Sequence, residues 1–304
     1  MDKRSASTNS DKRDMKVLIT GKNGQLGQQL QKQASSGITV IAHGRETLNI
    51  TDKDQVFTVL KQAQPDVVIN AAAYTAVDKA ESDTEQAHLI NARGPENLAL
   101  ACRELGGRLI HVSTDFVFGG EQSHPYRPGD ARQPLGVYGQ SKTRGEEAVE
   151  AILPEAMIVR TAWVYGREGS NFANTMLRLM NERDQLGVVA DQIGTPTWAG
   201  TLAQSIYALA QNPEAKGIYH CTDAGAASWY DFAVAIYEEG KAAGLIPEEK
   251  SVQINPIATA DFPTPAKRPS YSVLDKNRLA KAIGATPKHW RQVLRSVLSS
   301  SSRA

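Results

Sequence analysis

Residues 136–146 read GVYGQSKTRGE, placing Tyr138 four positions before Lys142. On a helix, residues i and i+4 share a face, so a phenol and an ammonium would stand side by side. A neighbouring cation favours the phenolate and draws a tyrosine down from its ordinary pKa of about 10. A phenol tuned in this way can exchange a proton with a substrate oxygen near neutral pH. A solvated surface pair on an ordinary helix has the same spacing, so the meaning of this one rests on its company. Upstream, Thr114 follows the apolar run RLIHVS (108–113). A hydroxyl at the carboxyl end of a buried strand lies where ligands bind in open α/β sheets, and it can donate to a substrate oxygen.

A second constellation opens the chain. KVLIT (16–20) runs directly into GKNGQLG, with Gly21, Gly24 and Gly27 three apart. The first glycine permits a tight turn with positive φ. The second lets the backbone approach a pyrophosphate, and the third lets the following helix pack closely on the strand. A helix beginning near Gln25 would aim its free N–H groups at phosphates. The commoner two-then-three glycine spacing is absent, but strand, loop and helix occur in the order such a motif requires. A dinucleotide is therefore the expected ligand, cradled by the loop from Gly21 to Gly27, Asn23 included. The second strand ends in His43-Gly44-Arg45, with no acid before Glu46. An acid there would bind the ribose 2′-hydroxyl of NAD. The Arg45 guanidinium instead suits a 2′-phosphate, so NADPH is the expected cofactor, with NADH the alternative.

These groups need a scaffold. KVLIT (16–20), ITVIA (38–42), DVVIN (66–70), RLIHVS (108–113) and MIVRTA (157–162) read as buried strands, with helices near 25–35, 52–63, 84–105 and 137–151 between them. Strands alternating with helices predict an α/β fold, a Rossmann-type doubly wound parallel sheet. Beyond about residue 165 the pattern loosens into helices at 171–180, 201–211 and 228–240, a strand at 217–221 and a terminal helix at 287–298. The expected organisation is a dinucleotide domain over 15–165, with later contributions from about 187–225. A smaller, partly interleaved C-terminal substrate lobe occupies 166–304. Residues 1–14 read as a polar, disordered tail.

Composition narrows the function classes. The 304 residues carry a formal net charge of +1, with no basic stripe, which argues against nucleic acid as a partner. No apolar run approaches the roughly 20 residues of a membrane helix, and the N-terminus lacks a signal-peptide core. Cys102 and Cys221 stand far apart, as expected for a reducing, cytoplasmic setting. The six histidines show no metal-ligand spacing, so no metal site is expected.

In this order, the glycine loop, Ser113-Thr114, Tyr138 and Lys142 resemble the extended short-chain dehydrogenase/reductase superfamily. Within it the chain is similar to the dTDP-4-dehydrorhamnose reductases. The resemblance is carried by NAAAYTAVDKAE (70–81), STDFVFGG (113–120), VYGQSKTRGE (137–146), RTAWVYGREGSNF (160–172), DQIGTPTWA (191–199) and RPSYSVLD (268–275). It implies that Tyr138 protonates the reduced oxygen and that Lys142 holds the nicotinamide ribose and lowers the Tyr138 pKa. Thr114 would orient the substrate carbonyl, within a reduction of a 4-keto nucleotide-sugar to dTDP-L-rhamnose. It further implies Gly24, Gln25 and Leu26 at the pyrophosphate, Asn49 and Ile50 by the adenine, and Ala71, Ala72 and Ala73 along the cofactor. Asp115, Phe116, Trp163, Asn171 and Arg268 would meet the substrate, Arg268 at its diphosphate.

The chain departs from the family's pattern in places. Phe116 replaces a tyrosine, Pro128 an acid, and Gly44 a strand-end aspartate. Relatives that dimerise through Mg²⁺ supply glutamates where this chain has Gln29 and Gly200. Mg²⁺ prefers carboxylates, so no metal-bridged dimer of that kind is expected. Dehydratases on this scaffold place Asp-Glu after the threonine, and Thr114-Asp115-Phe116 lacks the second acid. A 4-epimerase needs the same tyrosine and lysine and would retain NAD through purification. A non-catalytic regulator, like the β subunit of methionine adenosyltransferase, would tolerate erosion of a set that is complete here.

Overall fold

The computed structural model describes residues 13–299. Its centre is a six-stranded, all-parallel sheet: β1 (Met15–Thr20), β2 (Ile38–His43), β3 (Val67–Asn70), β4 (Arg108–Thr114), β5 (Met157–Thr161) and β6 (Gly217–His220), in spatial order 6-5-4-3-1-2. The inner strands read as unbroken aliphatic runs because both faces are covered, and Val17, Leu18, Ile19, Val67, Val68 and Ile69 are all buried. Alternate residues feed two cores. Val17 and Ile19 pack with Leu202, Ile206 and Tyr207 of the helix Ala199–Gln211. Leu18 and Val68 pack with Leu98 and Cys102 of the helix Gly94–Leu105 on the opposite face.

The sheet order reverses at β1. Its one neighbour is β2 and its other is β3, with Thr20 opposite both His43 and Asn70. Chains leaving β1 and β3 depart to opposite faces there, which opens a crevice at the carboxyl ends of the strands. Buried hydrogen bonds lock the register beneath it. Thr20 Oγ1 donates to Asn70 Oδ1 at 2.7 Å, and the Asn70 amide lies 3.0 Å from His111 Nδ1, linking β1, β3 and β4.

A third hydrophobic core is built from the helices Phe172–Glu182, Trp229–Ala242 and Trp290–Ser299, centred on Met180, Phe232, Ile236 and Leu294. The strand Gln185–Val189 pairs with Gln253–Ile257, apart from the large sheet, whereas the helix Ala199–Gln211 and β6 pack on or within that sheet. The chain thus leaves the sheet after β5, returns for one helix and one strand, and leaves again. The helix expected over 84–105 is present as Thr84–His88 and Gly94–Leu105 joined by a π-turn, Leu89–Arg93. Of the tail expected at 1–14, residues 1–12 lie outside the described residues. Arg13 pairs with Asp66 at 2.5 Å. Among the described residues no helix is long and apolar enough to cross a membrane.

Candidate active site

A cavity of about 1060 Å³ lies over the switch point, walled by the glycine loop, the segment after β3, the end of β4 and the helix Val137–Ile152. Its floor is a cradle that only glycine can form. Gly21 turns with φ 74°, and a Cβ on it would lie 2.8 Å from the Ala71 backbone. A Cβ on Gly27 would stand 2.1 Å from the Gly21 carbonyl. Gly27 therefore packs the helix onto the loop, beneath the cavity wall rather than in it. The helix Gln25–Lys32 starts at Gly24 with no side-chain cap and no acid in its first turn. Its free N–H groups and positive dipole end suit a pyrophosphate. Ala71, Ala72 and Ala73 make a low wall beside it, with Asn23, Gln25 and Leu26 on the loop side and Arg45, Asn49 and Ile50 towards β2. These residues fit a dinucleotide.

Thr114, Tyr138 and Lys142 all line this cavity. One close approach sets their spacing. A Cβ on Gly139 would fall 2.3 Å from the Phe116 carbonyl, so the helix carrying Tyr138 can press against the turn that follows Thr114. The Phe116 and Tyr138 rings meet edge to face, 5.4 Å apart. Thr114 closes its turn by accepting from Phe116 N at 3.2 Å, and its hydroxyl donates to Asp115 Oδ1 at 3.1 Å. Lys142 is only 2% exposed, and its Nζ donates to the Val112 carbonyl at 2.7 Å.

The electrostatics differ from the sequence expectation in one respect. Lys142 does not draw the Tyr138 phenol down. Burial pushes that phenol up to about 12, the Asp115 charge adds to the rise, and the Thr114 hydroxyl opposes it. The dominant cause is the phenol's own loss of water; Lys142 is desolvated as well, burial lowering it to about 8, with Glu146 one turn further on pulling it back up. Burial also raises Asp115 to about 6, against hydrogen bonds from Ser272 and Thr114. A phenol in this environment holds its proton at neutral pH, the state an acid needs.

The far end of the cavity is aromatic. Trp163 adopts a left-handed backbone with φ 47°, rare outside glycine, and lies flat on Trp229 at 3.5 Å. Phe116, Asp115 and Arg268 line the same cavity. Arg268 is already engaged. Its guanidinium forks onto Asp78 at 3.0 and 2.8 Å and donates to Thr264 Oγ1 at 2.6 Å, joining the C-terminal lobe to the segment after β3. Asn171 lies outside the wall. It accepts from Asn174 N as a helix cap and donates to Gln25 Oε1 at 2.9 Å, so it steadies a cavity residue instead.

Three positioning groups carried no signal in the sequence. Glu81 Oε1 accepts from Val137 N at 2.9 Å, at the start of the Tyr138 helix. Trp229 completes the aromatic wall. The π-turn drives Asn91 into the interior. There Oδ1 accepts from Tyr74 N at 2.8 Å, and Nδ2 donates to the Tyr74 carbonyl and to Ser141 Oγ, both at 3.0 Å. Ser141 in turn donates to the Tyr138 carbonyl at 2.8 Å. A π-turn that places one amide between two cavity walls is a common mark of a functional site. Asn91→Ala is expected to lower stability by about 2–4 kcal/mol through buried groups left unpaired. It should also cut kcat/KM by roughly tenfold or more through misplacement of the helix. Thermal unfolding and steady-state rates on the same preparation check this; unchanged rates in a folded variant would remove Asn91 from the site's support.

Sheet order, glycine cradle and the Thr-Tyr-Lys cavity together define an extended short-chain dehydrogenase/reductase. Residues 15–303 match the family described as RmlD substrate binding domain. The chain is 43% identical over 289 residues to the dTDP-4-dehydrorhamnose reductase of Aggregatibacter actinomycetemcomitans, covering 93% of this chain and 98% of that one. It is 41% identical over 290 residues to the spore coat polysaccharide biosynthesis protein SpsK of Bacillus subtilis, covering 95% and 99%. The crystal structure of the Bacillus anthracis dTDP-4-dehydrorhamnose reductase in complex with NADP is similar at a TM-score of 0.88 and 36% identity, covering 93% of this chain and 98% of that one. A UDP-glucose 4-epimerase from Thermus thermophilus shares the fold, with a TM-score of 0.79 at 19% identity and coverage of 95% and 99%. The chain belongs to the dTDP-4-dehydrorhamnose reductase family, a family of oxidoreductases.

Proposed function

We propose that this protein reduces the 4-keto group of dTDP-4-dehydro-6-deoxy-L-mannose to dTDP-L-rhamnose, using NADPH and Tyr138 as the proton donor. The observation that carries this reading is the meeting of Thr114, Tyr138 and Lys142 in one cavity with the glycine cradle, in a chain of this family. When bound, the dinucleotide supplies the hydride. Gly21 through Leu26 would hold its pyrophosphate, Asn49 and Ile50 its adenine, and Ala71 to Ala73 its flank. Lys142 would hold positive charge beside the nicotinamide ribose. Thr114 steers the ketone oxygen towards Tyr138, which delivers its phenolic proton as charge develops on that oxygen. An alkoxide is a stronger base than a phenolate, so a raised Tyr138 pKa still leaves the transfer downhill. Trp163, with Trp229, offers a flat apolar face to the nucleotide-sugar. Arg268 would exchange Asp78 for the diphosphate, since both accept a guanidinium fork.

The test is direct. The purified protein, given the 4-keto sugar nucleotide and NADPH, should oxidise the cofactor in step with dTDP-L-rhamnose formation, followed at the nicotinamide band and by chromatography. NADPH bound but never oxidised by this substrate would sink the rhamnose assignment. NAD retained tightly through purification, with interconversion of sugar epimers, would move the reading to a 4-epimerase.

A further inference from the structure

The end of β2 holds a carboxylate that the order of residues conceals. A Cβ on Gly44 would stand 2.4 Å from both Oε1 and Oε2 of Glu46. Glu46 therefore folds back over the glycine, and Gly44 is buried although its neighbours Arg45 and Glu46 are exposed. The fold-back is anchored. Lys22 Nζ lies 2.9 Å from Glu46 Oε1, and the carboxylate also accepts from its own backbone N–H and from the Asn23 side chain. Those bonds, that to its own backbone first, hold its carboxyl below the usual range. Lys22 and Asn23 belong to the glycine loop, and Lys22 N donates to the His43 carbonyl at 3.0 Å, tying that loop to the end of β2. Gly44, Arg45 and Glu46 line the same cavity as Gly21 and Asn23.

In parallel sheets of this kind, an acid at the end of the second strand receives the ribose 2′-hydroxyl, and a cation there receives a 2′-phosphate. This chain has both in one place: a carboxylate in the space where a side chain on Gly44 would project, and an ammonium paired to it. We propose that Glu46 sets the choice between NADH and NADPH, its carboxylate standing in for the strand-end acid that Gly44 omits. The inference rests on the dinucleotide reading of the cavity. With NADH, Glu46 stays on Lys22 and accepts the 2′-hydroxyl. With NADPH, the 2′-phosphate repels the carboxylate, takes its place on Lys22 and recruits Arg45. The result is a protein that admits both cofactors, because the penalty for one partner is the displacement of an exposed side chain.

The experiment is direct binding, without sugar substrate. NADPH and NADH are titrated separately into wild type, Glu46→Gln and Lys22→Met, and followed by nicotinamide fluorescence and calorimetry. In Glu46→Gln the ratio of the two Kd values should move about tenfold towards NADPH, through weaker NADH and tighter NADPH binding. In Lys22→Met it should move towards NADH. A ratio within about twofold of wild type in Glu46→Gln, with both cofactors bound, overturns the role of Glu46 and leaves the dinucleotide site standing. Failure of the wild type to bind either cofactor overturns the reading of the cavity and this inference with it.

Discussion

Tyr138→Phe should lower kcat by about 10²–10⁴-fold, the usual range for a single general acid or base, while NADPH binding stays within a few-fold of wild type. The substitution removes one oxygen and keeps the ring that meets Phe116 edge to face. Fold and cavity shape should therefore persist, and the loss isolates the proton. The pH dependence has a definite sign. The acid must be protonated, and burial holds the phenol up to about 12. Lys142 is brought to about 8 by burial, countered by Glu146, and is charged only below that value. In the wild type, the alkaline limb of kcat/KM should thus report Lys142 before Tyr138. Stopped-flow reduction and binding titrations on the same variant check the split. Near-normal turnover with phenylalanine would show that another group or water delivers the proton.

The second large effect is on stability. Glu146→Gln is expected to cost about 3–5 kcal/mol, because it strands a buried cation. Arg160 is 1% exposed and Glu146 fully buried, joined by Arg160 Nη2 at 2.7 Å and Nε at 2.9 Å. Arg132 Nε adds a contact at 2.6 Å. A loss of that size corresponds to a fall in Tm of roughly 10 °C in a chain of this length. Burial alone would raise the Glu146 carboxyl, but the hydrogen bond and charge of Arg160, with Arg132, outweigh it and the net shift is downward. A depressed folded pKa gives stability that is present above the unfolded value, near 4.3, and lost as pH falls through the folded value. The Tm gap between wild type and variant should therefore be flat at neutral pH and shrink below about pH 4. Calorimetry across that range would read it. A gap that is absent at neutral pH would mean the network contributes nothing net. Because Glu146 also supports the charge on Lys142, the folded variant's alkaline limb should move to lower pH.

How far the chain was legible from its letters varied with the kind of contact involved. The helix 84–105 was legible from its periodicity, but the π-turn at Leu89–Arg93 was not. That turn exists because Asn91 has partners on Tyr74 and Ser141, and Ser141 lies fifty positions away. The depression of the Tyr138 pKa, expected from the i+4 lysine, did not survive burial. Spacing shows who stands near whom, but not how much water has been removed from both. Arg268 read as an anion-binding arginine, and it sits on the cavity wall, yet its fork is held by Asp78, 190 positions upstream. Gly44 read as the absence of an acid, and the fold brings Glu46 into the same space.

By itself, then, the sequence determined the sheet of alternating strands and helices, the glycine cradle and the order of Thr114, Tyr138 and Lys142 along the chain. Those features are local: each is written in a contiguous stretch whose geometry follows from helix and strand periods and from the φ freedom of glycine. Tertiary structure alone decided which charges are paired, which are dry, and which side chain fills a space that another residue leaves open. Those properties depend on desolvation and on contacts between segments far apart in the chain, and neither is encoded in spacing.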